Sequence, residues 1–350
     1  MKMHILVITP GFPENENDTD CIPAMQKYFD CLVLNYPSVK ISVIAIHYPY
    51  SRGNYNWKTI NVFSCGGRRL AQPFRLIYWI KALYYALKIN KENKIDIIHS
   101  FWLNESALIG NIVSRIINKK HVNTLMGQDA GGNNKYPGFL SLGRIIKVAV
   151  SEFQSKMFLV SSGTPVEQII NWGTEDVKIQ KDQRIYDVVG VGALIPLKNY
   201  KLFINIISDL VKEFPGIKCL LIGDGIEKKA IINEINKNGL SDNIILTGHI
   251  KREDVLRRLG QSKILLHTSY YEAFGYVIAE ALASGCFVVS RKTGCADKSD
   301  KIKIAENKNE FVESIKKLLK TDLDYRPYRP FKVEDTAEKY YELYNNLSLP

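Results

Sequence analysis

Ile264-Leu265-Leu266 leads into Glu272-Ala273-Phe274-Gly275-Tyr276-Val277-Ile278-Ala279-Glu280. Then Ala281-Leu282-Ala283-Ser284-Gly285 runs on to Cys286-Phe287-Val288-Val289. Apolar run, polar link, short helical pattern and second apolar run spell strand, loop, helix, strand, the repeating unit of a parallel α/β sheet. Glu272 falls in the loop, where backbone amides are free, and Glu280 falls inside the helix. Two carboxylates held this way at the C-terminal end of a parallel strand can grip two hydroxyl-bearing ends of one ligand. Glu280 stands beside Ala279, Ala281 and Leu282, an apolar setting in which a carboxylate needs partners.

The same alternation extends outward in both directions. Towards the C-terminal half, strands are predicted at 187–190, 218–222, 244–246, 263–267 and 286–290, with helices at 200–213, 226–238, 254–259, 277–284 and 309–319. Towards the N-terminus, strands are predicted at 5–8, 41–46, 95–99, 122–125 and 148–150, with helices at 23–35, 74–89 and 107–118. The polar stretch from Thr174 to Gln183 reads as a linker, which places one domain at 1–180 and a second at 181–330. A chain of 350 residues suits two cores better than one. Residues 333–346 form a further helical pattern rich in tyrosine (Tyr340, Tyr341, Tyr344).

Composition excludes several classes. A hydrophobic fraction of 46% with 24% charged residues reads as soluble and globular. No apolar run approaches the roughly eighteen residues of a membrane span. The start, Met-Lys-Met-His-Ile-Leu-Val-Ile-Thr-Pro, reads as a first strand and not a signal peptide. Six scattered cysteines form no Cys-x-x-Cys pair and suit reduced thiols in a cytoplasmic protein. The net charge is +11, of which residues 1–180 carry +7 and the remainder +4. Positive potential fits an anionic ligand or an anionic membrane face. Nucleic acid ranks last as a partner, since no motif for it is present. The segment Arg68 to Lys81 mixes cations with aromatic and aliphatic residues. It reads as a domain helix capped by surface cations or, alternatively, as peripheral membrane contact at the inner face.

The two glutamates with their seven-residue spacing resemble the signature of retaining glycosyltransferases of family four. That resemblance implies a GT-B fold: two Rossmann-like doubly wound domains facing a cleft, with the C-terminal helix (331–350) crossing back to the N-terminal domain. It also implies a nucleotide-sugar donor in the second domain and a sugar or lipid-linked acceptor in the first. No cofactor is needed beyond the nucleoside diphosphate sugar itself. Lys198, after Val189-Gly190-Val191-Gly192-Ala193-Leu194, matches the family lysine that balances the leaving diphosphate, and Gly192 the glycine turn before it. Ala193 stands where the family has an arginine, so one cation is missing or comes from elsewhere, for instance Arg291 or Lys292. Glu272 would accept from sugar hydroxyls and Glu280 from ribose hydroxyls. Phe274, Gly275 and Tyr276 would line the donor, with amides of Gly275 and Tyr276 at a helix N-terminus facing phosphate. Gly223, in Leu221-Ile222-Gly223-Asp224-Gly225, is a tight strand-to-helix turn near the base. His249 and Ile250 would read the base edge with backbone atoms. Thr293-Gly294 could add a phosphate contact.

The acceptor half is less legible. Residues 10–20 carry four acids, Glu14, Glu16, Asp18 and Asp20, which would repel a diphosphate. This loop reads as a solvated, mobile charge run or an acceptor-facing loop. His99 and Gly127 end two strands and are candidate acceptor-side residues. Asp129 is a candidate to bind a hydroxyl or assist its deprotonation, and Met126 replaces the family histidine. The catalytic set expected on these grounds is Lys198, Glu272 and Asp129. No Asp-x-Asp pair sits at a strand end, so transfer without metal is expected. Alternatives of the same form are a nucleotide-sugar epimerase, a degenerate nucleotide-sugar-binding subunit, or a membrane or polysaccharide assembly factor. The Glu-Ala-Phe-Gly context argues against the first.

Overall fold

A computed structural model describes residues 3–51, 53–67, 75–140, 142–177, 184–297 and 299–348. The chain divides into two compact units, Met1–Gly173 with Lys332–Pro350, and Thr174–Phe331.

The first unit runs β1 (Met3–Gly11), α1 (Pro23–Asn35), β2 (Val39–Tyr48), β3 (Gly53–Trp57), β4 (Ile60–Ser64), α2 (Arg75–Glu92), β5 (Ile97–Phe101) and α3 (Glu105–Ile117). It continues with β6 (Lys120–Thr124), β7 (Ile145–Ala149), α4 (Glu152–Ser162) and β8 (Gln168–Ile169). Its eight strands lie in the order β3-β4-β2-β1-β5-β6-β7-β8, all pairs parallel except β3 with β4. Ile5, Leu6, Val7 and Ile8 are all buried, which the continuous apolar run requires of a central strand covered on both faces. Asn104 caps α3 at the Ser106 amide (2.9 Å), and Ser151 caps α4 at the Gln154 amide (3.0 Å).

The second unit runs β9 (Tyr186–Val191), α5 (Tyr200–Val211), β10 (Cys219–Ile222), α6 (Lys228–Lys237), β11 (Ile244–Gly248), α7 (Arg252–Gly260) and β12 (Ser262–His267). Then come α8 (Tyr276–Ala283), β13 (Phe287–Ser290), β14 (Ile302–Ile304) and α9 (Lys308–Leu319). Its strand order is β11-β10-β9-β12-β13-β14, every pair parallel. One face of α5 buries Phe203, Ile206, Ile207 and Leu210, each contributing about 1.5–3 kcal/mol of transfer free energy. Both units are Rossmann-like, the two-domain composition of the GT-B class of fold.

The last helix, α10 (Val333–Ser348), belongs to the first unit. A buried chain of hydrogen bonds fastens it. Tyr344 Oη meets Tyr28 Oη at 2.7 Å and His99 Nδ1 at 2.6 Å, while His99 Nε2 meets Thr124 Oγ1 at 2.8 Å. Thr124 Oγ1 in turn meets Tyr340 Oη at 2.7 Å. His99 is therefore not an acceptor-side residue: it is fully buried, and both ring nitrogens serve the docking of α10.

Other readings are corrected. The acidic loop is not a mobile run. The Asp18 carboxylate accepts from Tyr48 Oη (2.8 Å) and from the amides of Glu14 (3.2 Å), Asp20 (3.3 Å) and Cys21 (3.1 Å). The antiparallel β3/β4 hairpin, which turns at Lys58-Thr59, is an addition to the expected elements, as are α4 and β14. Residues 68–74 of the Arg68–Lys81 segment and 178–183 of the linker lie outside the described residues.

Candidate active site

The C-terminal edge of the second unit's sheet is built from strand ends that need glycine. Gly192 donates to the Ile222 carbonyl (3.0 Å), and Gly223 donates to the Gly248 carbonyl (3.0 Å), lacing β9, β10 and β11 together. Gly223 has φ +150°, and a Cβ there would lie 1.9 Å from the Gly192 oxygen. No side chain fits, so the turn is fixed by backbone contact. The order of strands reverses direction at β9 and β12, the switch point at which an open α/β sheet leaves a crevice outside its strand ends.

Two loops meet at that switch point. The one after β9 carries Lys198 and the one after β12 carries Glu272. They are tied main chain to main chain by Tyr270 N–H to Leu197 O (3.0 Å), and Thr268 Oγ1 donates to Lys198 O (2.9 Å). Lys198 Nζ and Glu272 Oε1 form a closed ion pair, both largely shielded from solvent. His267 Nε2 reaches the same Oε1 at 3.0 Å, and its Nδ1 meets Ser290 Oγ at 3.1 Å. Ser290 Oγ donates onward to the Arg291 carbonyl (2.9 Å). Both ring nitrogens of His267 are thus engaged, one by Glu272 and one by Ser290.

Burial alone would push the Glu272 carboxyl up. The hydrogen bond from His267 and the Lys198 charge outweigh it and hold the group at about 2. Glu272 is a fixed anion at any ordinary pH. Its amide is not free: it donates to Thr293 Oγ1 at 2.7 Å. Thr293 is buried and spends its hydroxyl on the Glu272 backbone, which replaces the expectation that it meets a phosphate.

Glu280 stands apart from this pair. It is buried in α8 and its Oε1 lies 2.5 Å from Arg252 Nη2. The guanidinium also lies over the Tyr276 ring, 5.3 Å from its centroid. Burial pushes the Glu280 carboxyl up, and Arg252 pulls it back. Gly275 caps α8 with φ +78°, a left-handed conformation suited to glycine, and a Cβ there would press on Ile278 Cδ1 at 3.0 Å. Phe274 does not face a ligand with its ring: it is buried edge-on against Phe331 (5.2 Å between centroids), and its carbonyl accepts from Cys295 N–H (2.8 Å). His249 and Ile250 follow β11, the histidine exposed and the isoleucine partly buried. Arg291, considered as a replacement cation, lies over the Tyr270 ring (5.3 Å) and donates to Glu306 O at 3.0 Å, while Lys292 is exposed.

In the first unit, Asp129 is not available as a base. Its carboxylate accepts from the amides of Leu103 (2.7 Å), Gly127 (2.6 Å) and Met126 (3.2 and 3.3 Å). Burial pushes this carboxyl up, and the backbone donors oppose it. It is a clamp between the loops after β5 and β6, and Gly127 is one of the residues clamped.

Sequence reading misses His267, Arg252 and the Thr293 contact. His267 ends a strand that the apolar pattern does reveal. Arg252 opens a helix whose predicted start falls two residues later.

Residues 174–329 match the family model described as Glycosyl transferases group 1, a span that covers almost the whole second unit. Among curated relatives, the chain is 24% identical over 228 residues to N-acetyl-alpha-D-glucosaminyl L-malate synthase of Bacillus anthracis. That alignment covers 59% of each protein. It is 26% identical over 180 residues to a GDP-Man:Man(3)GlcNAc(2)-PP-Dol alpha-1,2-mannosyltransferase of Caenorhabditis elegans, covering 46% of this chain and 38% of that one. Over 124 residues it is 28% identical to the phosphatidylinositol N-acetylglucosaminyltransferase gpi3 subunit of Schizosaccharomyces pombe, covering 35% and 27%. The chain therefore spans less than two thirds of the length of these relatives. Its fold is shared by Anabaena HepE in complex with UDP and glucose, at a TM-score of 0.68 and 16% identity over 99% of this chain and 100% of that one. Sucrose-phosphate synthase of Thermosynechococcus elongatus shares it too, at 0.74 and 16% over 99% of both.

Proposed function

We propose that this chain, whose residues 174–329 match the model of glycosyl transferases group 1, is a retaining glycosyltransferase. It moves a hexose-type sugar from a nucleoside diphosphate sugar to an acceptor hydroxyl in polysaccharide or glycolipid synthesis. The observation that carries this reading is the Lys198–Glu272–His267 network at the switch point of the second sheet. A cation and a permanently ionised carboxylate stand there side by side. One can receive a phosphate, and the other a sugar hydroxyl.

Each group has a defined task in this reading. Lys198 stabilises the negative charge that grows on the departing diphosphate, worth on the order of a few kcal/mol in a shielded site. The amides at the start of α8, opened by Gly275, give phosphate oxygens further donors. Glu272 orients the transferred sugar through its hydroxyls, and Glu280, held by Arg252, accepts from the ribose. The leaving phosphate takes the acceptor proton as the new glycosidic bond forms on the same face, so no protein nucleophile is needed. Neutralisation by Lys198 and amides supports transfer without a divalent cation, and chelator treatment tests that. Relatives named for phosphatidylinositol and dolichol-linked substrates support a lipid-linked acceptor.

The test is a thermal-shift screen with UDP-, GDP-, ADP- and dTDP-sugars, UDP first because HepE was solved with UDP. The correct donor raises the melting temperature of the wild type, and Lys198→Ala loses most of that rise. Equal binding by Lys198→Ala and by Glu280→Ala refutes the donor site. Donor binding without release of nucleotide towards any acceptor extract favours a degenerate protein that binds the nucleotide sugar and does not turn it over. Ala193 supports that second reading by removing one cation.

A further inference from the structure

Helix α2 covers the first unit's sheet with Tyr78, Ala82, Ala86 and Ile89, all buried. An ordinary covering helix turns a polar face to water. This one does not. Its exposed positions are Leu76, Ile77, Ile80, Tyr84, Leu87, Lys88, Lys91 and Glu92. At 3.6 residues per turn the first seven fall within an arc of about 120°. The five large apolar side chains of that arc are between 41% and 67% exposed. They recur at i, i+4, i+8 and i+11 (Leu76, Ile80, Tyr84, Leu87), so they form one continuous stripe. Lys81 is not part of it, because its ammonium turns back to Ser64 O (3.2 Å) and Cys65 O (3.4 Å).

The rim of the stripe says what covers it. Lys88 lies at one edge of the arc, and Lys91 continues the stripe at its C-terminal end. The single acid, Glu92, sits at the helix end, 3.9 Å from Lys88. Apart from Tyr84 the stripe offers no hydrogen-bonding side chain for a protein partner to read. Aliphatic bodies, a tyrosine and lysines that reach outward are what the boundary between lipid headgroups and acyl chains accepts. The chain's charge of +11 adds long-range attraction of the same sign.

We propose that the outward arc of α2 is a docking face for an anionic lipid surface. The stripe lies wholly in the first unit, and this inference stands whether or not the second unit transfers a sugar. No helix among the described residues is long and apolar enough to cross a membrane.

The experiment is co-flotation of the full chain with vesicles of phosphatidylcholine alone, and of phosphatidylcholine with about one-third phosphatidylglycerol. The wild type floats with the anionic vesicles, less so with neutral ones, and less again in high salt. The variant Leu76→Ser/Ile80→Ser/Leu87→Ser loses roughly tenfold or more in partition, because three apolar contacts leave the interface. These side chains are exposed, and circular dichroism checks that the variant folds. The pair Lys88→Glu/Lys91→Glu provides a second arm that leaves the apolar stripe intact and weakens binding to anionic vesicles alone. The proposal falls if the wild type ignores anionic vesicles or if both variants bind as well as the wild type. It falls equally if the wild type is a dimer in solution that the serine variant dissolves, which makes the occupant a second copy.

Discussion

Replacing Glu272 by Gln keeps the shape of the side chain and deletes one charge from the Lys198–Glu272–His267 network. The magnitude follows from the carboxyl's displacement from 4.5 to about 2. At about 1.4 kcal/mol per unit, the folded state favours the ionised form by about 3 kcal/mol. The folded value is depressed, so this stabilisation is complete above the unfolded value of 4.5 and fades as pH falls towards 2. The neutral amide of the variant has no proton to gain. Near neutral pH the variant is expected to be less stable than the wild type by about 2–3 kcal/mol, and the gap narrows as pH falls below the unfolded value. The four tryptophans (Trp57, Trp79, Trp102, Trp172) all belong to the first unit, so their fluorescence does not follow the second. Hydrogen exchange of peptides spanning 262–290, corrected for intrinsic rates, reads the right region. A gap of equal size near neutrality and at about pH 3, or none near neutrality, refutes the ion-pair argument.

Arg252→Met strands the Glu280 carboxylate in α8 without its cation. It should cost about 3–5 kcal/mol by urea denaturation of the second unit, with much of the loss recovered by adding Glu280→Gln. Gly223→Ala forces a Cβ into the Gly192 carbonyl. It is expected to abolish the donor-dependent thermal shift and to cost more than about 3 kcal/mol, and near-normal stability would contradict the turn geometry. His99→Phe leaves Thr124 and Tyr344 each one partner short and should lower the stability of the first unit by about 1–3 kcal/mol in tryptophan-monitored unfolding. Donor binding in that variant should be unchanged, because the ring serves α10.

The fold is legible in the sequence because its signals are local. Buried parallel strands write themselves as apolar runs, as at Ile5–Ile8 and Ile264–Leu266. Helix α1 begins at Pro23 and ends at Asn35 as expected, since proline suits a first turn. The β3/β4 hairpin alternates Tyr55 and Trp57 with Ile60 and Val62, a period of two that a search for longer parallel strands passes over. The residues of the site are legible wherever the motif is contiguous. Their pairings are not. Lys198 meets Glu272 across 74 residues, and His99 meets Tyr344 across 245, separations that no periodicity encodes. A histidine and an aspartate at strand ends look alike on paper whether they face a ligand or brace a loop. His99 and Asp129 brace the protein, His99 holding α10 and Asp129 the loops after β5 and β6, through bonds to groups within the chain.

The Lys198–Glu272–His267 network also bears on how the proposed donor enters. In the free chain Lys198 and Glu272 satisfy one another, so a nucleoside diphosphate sugar that engages both must part them. An opened pair leaves a shielded carboxylate, which is costly unless a second donor remains. His267 is that donor: it holds Glu272 Oε1 at 3.0 Å from the side of β12 and is itself anchored on Ser290 of β13. Lys198 can turn to a phosphate while Glu272 stays ionised and oriented for a sugar hydroxyl. Binding then exchanges one ion pair for two ligand contacts on a carboxylate that never loses its place. In the proposed chemistry the strand-end histidine keeps the carboxylate in place while the lysine turns to the phosphate.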